Sequence, residues 1–256
     1  MTSALPLSGL NIVVTRPREQ AQALVQEISR LGGKCIELPL LEIAPIPDDT
    51  NLKSVIARLH EFDLAIFISP NAVRYGMASI LKAGGIPATL RVATIGSSSA
   101  IALLEYGVND VIAPTVHFDS EALLAIAEMQ FVSQKRIVIF RGESGRELLG
   151  DTLKSRGAIV EYAACYQRRN VAHDMTVLIA ANPDVMTVSS SEALHHLHNS
   201  LGGGNKERVM AMPLFVSHKR IATAAQQLGW RNIIHTDDGD MGLLSGLIGW
   251  AAQRVR

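Results

Sequence analysis

The chain has 256 residues, 48% of them apolar, so it can bury one large core or two smaller ones. Lys and Arg total 24 and Asp and Glu total 24, which excludes the broad basic field that holds nucleic acid or an anionic membrane surface. Two cysteines give neither a disulfide framework nor a zinc spacing, and no run reaches the roughly 20 apolar residues of a membrane span.

The opening stretch MTSALPLSGL has no basic region followed by a long apolar core, so a cytoplasmic protein is expected. Short runs rich in β-branched residues alternate with helix-period segments, the pattern of parallel sheets crossed by helices. They predict strands near 11–15, 34–38, 63–68, 91–95, 109–113, 135–140, 158–164, 184–189, 213–217 and 231–235, five for each of two lobes. After the first strand, Ala21, Leu24, Val25, Ile28 and Leu31 recur at helical steps and Gly32 and Gly33 end the helix. Cys35 and, later, Cys165 fall in apolar strand-like runs and read as small buried hydrophobes. LLEIAPIPDDT, with Pro45 and Pro47, interrupts helix and is a candidate connector. Asp119 is placed to cap a helix over 121–129. Ser144 and Glu147 have capping-box spacing, and Leu148, Leu149 and Leu153 supply a buried face before Gly157. Ala164 to Arg169 reads as a second, extended connector. The segment 199–207, with Gly202, Gly203 and Gly204, reads as surface loop, and 241–254 as a terminal helix docking Leu243, Leu244, Leu247 and Trp250.

Residues 12–43 are echoed by 137–168, at an offset of about 125 positions: strand, Arg, helix, Gly break, second strand. FDLAIFISPNAVRYGM from Phe62 is matched by PDVMTVSSSEALHHLH from Pro183, and VATIGSSSAIALLEYG from Val92 by LFVSHKRIATAAQQLG from Leu214. Two long copies are not a solenoid, which stacks several short units. They predict two similar α/β lobes with a cleft between them.

Several predicted strands run into small polar residues before a helix: Ser69-Pro70-Asn71, Ser97-Ser98-Ser99, Ser189-Ser190-Ser191 and Ser217. One reading is capping of the first turn. The other is anion binding, because ligands of open parallel sheets sit beyond the carboxyl ends of the strands, where helix N-termini offer N–H donors. Arg16 and Arg141 hold equivalent positions after the first strand of each copy, with Arg146 close behind; they are either surface-paired or carboxylate forks. His195, His196 and His198 cluster without further ligands for a metal, so none is expected. No G-x-G-x-x-G follows a strand and no G-x-S-x-G elbow is present, which argues against a dinucleotide site and nucleophilic hydrolysis. Tyr166, in CYQRR, is either a packing tyrosine or a proton donor.

The motifs VTRP (14–17), ISPNAV (68–73), IGSSSA (95–100), FDSEALL (118–124), FRGESGRELL (140–149), YQR (166–168) and SHKRIATAA (217–225) together resemble the uroporphyrinogen-III synthase family. The resemblance implies a HemD-like α/β fold of two lobes, each a mainly parallel sheet flanked by helices, joined by a two-stranded connector. The implied division is 1–39 with 171–256, then 47–163, with connectors 40–46 and 164–170. It implies a cyclising hydro-lyase that closes hydroxymethylbilane, a carboxylate-rich linear tetrapyrrole, to uroporphyrinogen III with inversion of ring D and loss of water. No cofactor is implied. Tyr166 matches the tyrosine proposed to assist departure of the hydroxyl, and Ser69, Asn71, Ser190 and Ser217 match turns expected to contact substrate carboxylates, largely through main-chain N–H donors. Ser97, Ser99, Arg16, Arg141 and Arg146, read from their places at the strand ends, join them as expected carboxylate contacts. Ser99 stands where the family often has threonine. A monomer is expected, with hydroxymethylbilane synthase a candidate for transient contact. The competing class is a two-lobed, non-enzymatic binder of a small anionic ligand.

Overall fold

The computed structural model describes residues 5–254; the first four residues, part of the stretch read for a leader, and the last two lie outside the described residues. Eleven strands are found among the described residues: β1 Asn11–Val14, β2 Lys34–Glu37, β3 Leu41–Pro45, β4 Leu64–Phe67, β5 Arg91–Thr94, β6 Val111–Ile112, β7 Arg136–Gly142, β8 Ile159–Asn170, β9 Val185–Val188, β10 Leu214–Val216 and β11 Ile233–His235. They form one sheet in the order β11-β10-β9-β1-β2 and another in the order β3-β8-β7-β4-β5-β6. The chain divides into two units, one of residues through Glu42 with those from Arg169 onward, the other Ile43–Arg168. The boundary is crossed within β3 and within β8.

Each sheet is mixed into helices on both faces, and the alternation of side chains shows why. In the first unit, Val13, Met186, Val188, Leu214 and Val216 pack on one face, and Ile12, Val14, Val185 and Phe215 on the other. In the second, Ala65, Phe67, Val138 and Phe140 point one way and Leu64, Ile66, Ile137 and Ile139 the other. Strands buried on both faces read as continuous apolar runs, which is how they appear in the sequence.

The repeat is realised strand for strand. β1, β2, β9, β10 and β11 correspond to β7, β8, β4, β5 and β6, and the neighbour order is the same in both sheets. The pairs β1–β9 and β7–β4 are parallel with equivalent registers, Ile12 opposite Val185 and Ile137 opposite Leu64. Even the strand-entry hydrogen bonds recur. The Asp184 carboxylate accepts the Asn11 N–H at 2.9 Å, and the Asp63 carboxylate accepts the Arg136 N–H at 2.8 Å.

The helix Arg18–Arg30 ends as expected, with Gly32 at φ +87° and its N–H bonded to the Ser29 carbonyl. The terminal helix, Gly239–Arg254, buries Leu243, Leu244 and Leu247 against Ile12, Val14 and Phe215, with Trp250 edge-on to Phe215.

Several expectations are corrected. Ten strands become eleven because 41–45, left out of the strand tally although the resemblance implies it as one strand of a two-stranded connector, pairs alongside β8, which itself runs unbroken to Asn170; the second sheet therefore has six strands. Asp119 does cap a helix, accepting the Ala122 N–H at 2.7 Å, but that helix stops at Ala125, and a separate turn follows from Ala127. Ser144 caps nothing: the next helix begins at Leu148 after Glu147, so its inward face is Leu149, Gly150 and Leu153, and Leu148 is exposed. The supposed loop at 199–207 is largely helix, Gly203–Ala211, anchored by buried Val209.

In the second unit Phe67 and Phe140 stack at 4.6 Å, and the helix Pro70–Lys82 crosses them with Gly76 against the rings. A Cβ at Gly76 would lie 3.0 Å from Phe67 and 3.1 Å from Phe140. Gly76→Val is expected to cost about 1–3 kcal/mol through overpacking, read as a lower urea midpoint. An unchanged midpoint would mean that the rings separate freely.

Candidate functional site

The polar residues singled out in the sequence gather at the carboxyl ends of the two sheets, each set within its own unit. In the second unit, β4 leads into Ser69 and Asn71, β5 into Ser97, β7 ends at Arg141 and Gly142, and β8 carries Tyr166 beside Gly142. Ser69 is the N-cap of the Pro70–Lys82 helix and accepts the Ala72 N–H at 3.0 Å. The same hydroxyl lies 3.2 Å from the Tyr166 hydroxyl. Tyr166 is only 4% exposed and stacks on Tyr75 at 6.0 Å.

Two features put Tyr166 there. The β7–β8 register slips between Arg141 and Gly142, opposite Ala164 and Tyr166 respectively. Before the slip, Val160 and Tyr162 pack on one face of the sheet and Ala163 and Cys165 on the other; after it, Tyr166 joins the Cys165 face. Strict alternation would have left it on the face of Tyr162. Gly142 then leaves room for the ring, since a Cβ there would stand 3.0 Å from two ring atoms. The Cys165 thiol donates to the Arg141 carbonyl at 3.3 Å beside the slip, and burial pushes its pKa up to about 12.

Arg141 is 5% exposed, bonded to Glu147 at 2.8 Å and laid over the Tyr162 ring at 4.9 Å. Tyr162 was not foreseen; its spacing of four from Tyr166 is visible, but their separation onto opposite faces depends on the register slip. Arg146 is exposed and reaches Glu121 at 3.7 Å. Ser97 is exposed in the first turn of the helix Ser97–Glu105, whose N-cap is Gly96, while Ser99 faces inward with Leu103.

In the first unit, β1 leads into Arg16, β9 into Ser190 and β10 into Ser217. Arg16 bonds the Asp240 carboxylate and, through Nε, the Ser189 hydroxyl at 3.3 Å. Ser190 caps the Ser191–Ser200 helix, accepting the Ala193 N–H at 3.4 Å. Ser217 is buried, and the adjoining helix Lys219–Gln227 begins after His218, whose Nδ1 lies 2.8 Å from Asp238. Capping thus accounts for the hydroxyls of Ser69 and Ser190 but not for those of Ser97, Ser99 and Ser217. No cluster of metal-ligating side chains occurs among the described residues, and none of their helices is long and apolar enough to cross a membrane.

Two doubly wound α/β units of one strand order, with hydroxyl and guanidinium groups at their strand ends, define a duplicated α/β protein of the two-lobed class. The solved uroporphyrinogen III synthase of Thermus thermophilus, in a mutant form, shares the fold with a TM-score of 0.61 at 17% identity, over 96% of this chain and 100% of that one. The family model for uroporphyrinogen-III synthase HemD matches residues 22–244. The uroporphyrinogen-III synthases of Salmonella typhimurium and Escherichia coli are 33% and 32% identical, each over 90% of this chain and 96% of the relative. The chain belongs to the uroporphyrinogen-III synthase family, cyclising lyases of tetrapyrrole synthesis.

The Tyr162 phenol has its pKa pushed up to about 12, first by burial and then by Glu147. Its folded value lies above the ordinary value of about 10, so the stability it contributes is intact below that pH and is lost as pH rises toward 12. Tyr162→Phe is expected to flatten the fall in stability across that window and to remove one phenol step near pH 12 from the alkaline absorbance titration. A titration identical to that of the parent chain would contradict the assignment.

Proposed function

We propose that the chain cyclises hydroxymethylbilane to uroporphyrinogen III with loss of water and inversion of ring D, Tyr166 assisting departure of the hydroxyl. The observation that carries the role of Tyr166 is its hydroxyl 3.2 Å from Ser69 at the carboxyl end of the second sheet, held there by the register slip over Gly142. A phenol O–H is a hydrogen-bond donor and can donate to a leaving hydroxyl. Loss of that hydroxyl leaves an azafulvene cation stabilised by its own pyrrole nitrogen, so no protein nucleophile is needed. What the protein supplies is placement: the substituted position of ring D must attack before the free one, passing through a spiro intermediate that fragments and recloses.

In this reading the helix N-termini after Ser69, Gly96, Ser190 and His218 offer main-chain N–H groups to substrate carboxylates. Asn71, Ser97, Ser99 and Ser217 contribute around them, and Arg16, Arg141 and Arg146 supply charge. The segments 40–46 and 164–170 act as the two crossings between lobes. The protein works as a cytoplasmic monomer, without a cofactor, and receives its unstable substrate from hydroxymethylbilane synthase by transient contact. Family membership supports this reading over a non-enzymatic anion binder.

Freshly generated hydroxymethylbilane, with the isomers separated after oxidation, is expected to give isomer III in the presence of the protein. Tyr166→Phe is expected to lower turnover by roughly ten- to a thousandfold, overlapping the lower part of the range typical of one acid–base group. A product dominated by isomer I would sink the activity, and an unchanged rate in the variant would remove Tyr166 from the chemistry.

A further inference from the structure

The face of the second sheet opposite Tyr166 carries a pocket of about 150 Å³ lined by Ile68, Ile95, Ile139 and Leu149 on its apolar side and by Ser120, Arg141, Arg146 and Tyr162 on its polar side. Its volume is well below the roughly 300 Å³ at which sites for whole drug-sized ligands begin, so it suits an arm of a molecule rather than a ring system. The Arg141 side chain is 6% exposed, and its Nε is buried without a hydrogen-bond partner among the described residues. A buried guanidinium donor left unpaired is costly, and an acceptor that reaches it relieves that cost. The Tyr162 hydroxyl, also buried, sits beside Glu147, outside normal hydrogen-bond geometry.

The remaining partners are arranged to exchange. Glu147, which accepts from Arg141 Nη1 at 2.8 Å, is 55% exposed against 6% for the arginine. Glu121, near Arg146 at 3.7 Å, is 56% exposed. The arginine at the pocket wall is fixed, whereas both carboxylates have water to turn into. Two glycines keep the site open: a Cβ at Gly145 would stand 2.8 Å from an Arg141 nitrogen, and one at Gly150 would overlap the Tyr162 hydroxyl at 1.9 Å.

We propose that this pocket is a carboxylate subsite: an aliphatic arm lies along Ile68, Ile95, Ile139 and Leu149, and its carboxylate takes the Nε–H of Arg141 and the Tyr162 hydroxyl, displacing Glu147 toward solvent. That the arm belongs to the tetrapyrrole substrate rests on the function proposed above; the subsite itself does not.

Propionate is the probe for the subsite alone, followed by the arginine Nε–H resonances in ¹H–¹⁵N spectra. A saturable shift of the Arg141 signal is expected, tightened about tenfold in Glu147→Gln, which removes the competing charge, and weakened severalfold in Tyr162→Phe. An Arg141 signal that does not move, or an affinity unaffected by Glu147→Gln, overturns the subsite. For the substrate arm, Arg141→Lys is expected to raise KM about tenfold with kcat little changed, and Tyr162→Phe, which keeps the arginine in place should the lysine variant fold poorly, to raise it severalfold. Isomer III formed with an unaltered KM in Tyr162→Phe would overturn assignment of the arm while the cyclising activity stands. Loss of isomer III from the parent chain, with the propionate response intact, would strike the activity and leave the subsite.

Discussion

Tyr166 reaches Ser69 only because β7 and β8 do not keep step. Side chains along a strand alternate faces, so Tyr162 and Tyr166, four apart, belong on one side of the sheet. The slip opposite Arg141 and Gly142 breaks that alternation and sends Tyr166 over to the face of Phe67, Phe140 and Cys165. Gly142 is then required by contact, since any side chain there meets the ring. With Ser69 fixed by its capping bond to Ala72, the two hydroxyls are positioned by backbone geometry. One irregularity therefore serves two sites. It delivers Tyr166 to one face, leaves Tyr162 over Arg141 on the other, and aims side chains as bulges near functional sites commonly do.

The duplicated frame is held by main-chain pairing that both copies preserve, down to the carboxylates of Asp63 and Asp184 receiving equivalent strand-entry N–H groups. What differs is decoration. Gly142, which admits Tyr166, corresponds to Pro17, and Tyr166 itself corresponds to Leu41. Arg16 and Arg141 share a position, yet Arg16 is paired with Asp240 from the terminal helix and Arg141 with Glu147 six residues on. A parallel sheet buried on both faces tolerates little change in its strands, so divergence collects at the loop ends, where packing imposes less.

That division explains how much was legible in the sequence. The strands and the repeat could be read because apolar runs buried on two faces and glycine-stopped helices leave periodic marks, as at Ile28, Leu31 and Gly32. The pairing of 41–45 beside β8 left no such periodic mark, because an edge strand of mixed polarity with Pro45 at its end looks like a connector; only the family resemblance implied a strand there. The helix start at Leu148 went wrong by local rules, since Ser144 and Glu147 have capping-box spacing but the chain turns later and Leu148 rotates outward. At the site, the residue types were readable and their partners were not. Asp240 meets Arg16 across more than two hundred positions, and the slip that separates Tyr162 from Tyr166 is a property of strand pairing that no single strand encodes.

The charge pattern shows what such a frame can do with a polyanion. A protein of zero formal net charge offers an acidic ligand no net-charge attraction, so attraction must come from local groups. Arg16, Arg141 and Arg146 each lie against a carboxylate, and helix N-termini stand beside them at the strand ends. For Arg141 the balance is finely set. A guanidinium taken out of water carries a desolvation cost of several kcal/mol, offset here by one carboxylate and the face of Tyr162. Exchanging the exposed Glu147 for an external carboxylate keeps the ion pair, adds the Nε bond and returns Glu147 to water. Affinity then arises from completing a hydrogen-bond set already built, and selectivity from its planar geometry, which suits a carboxylate fork better than a point charge.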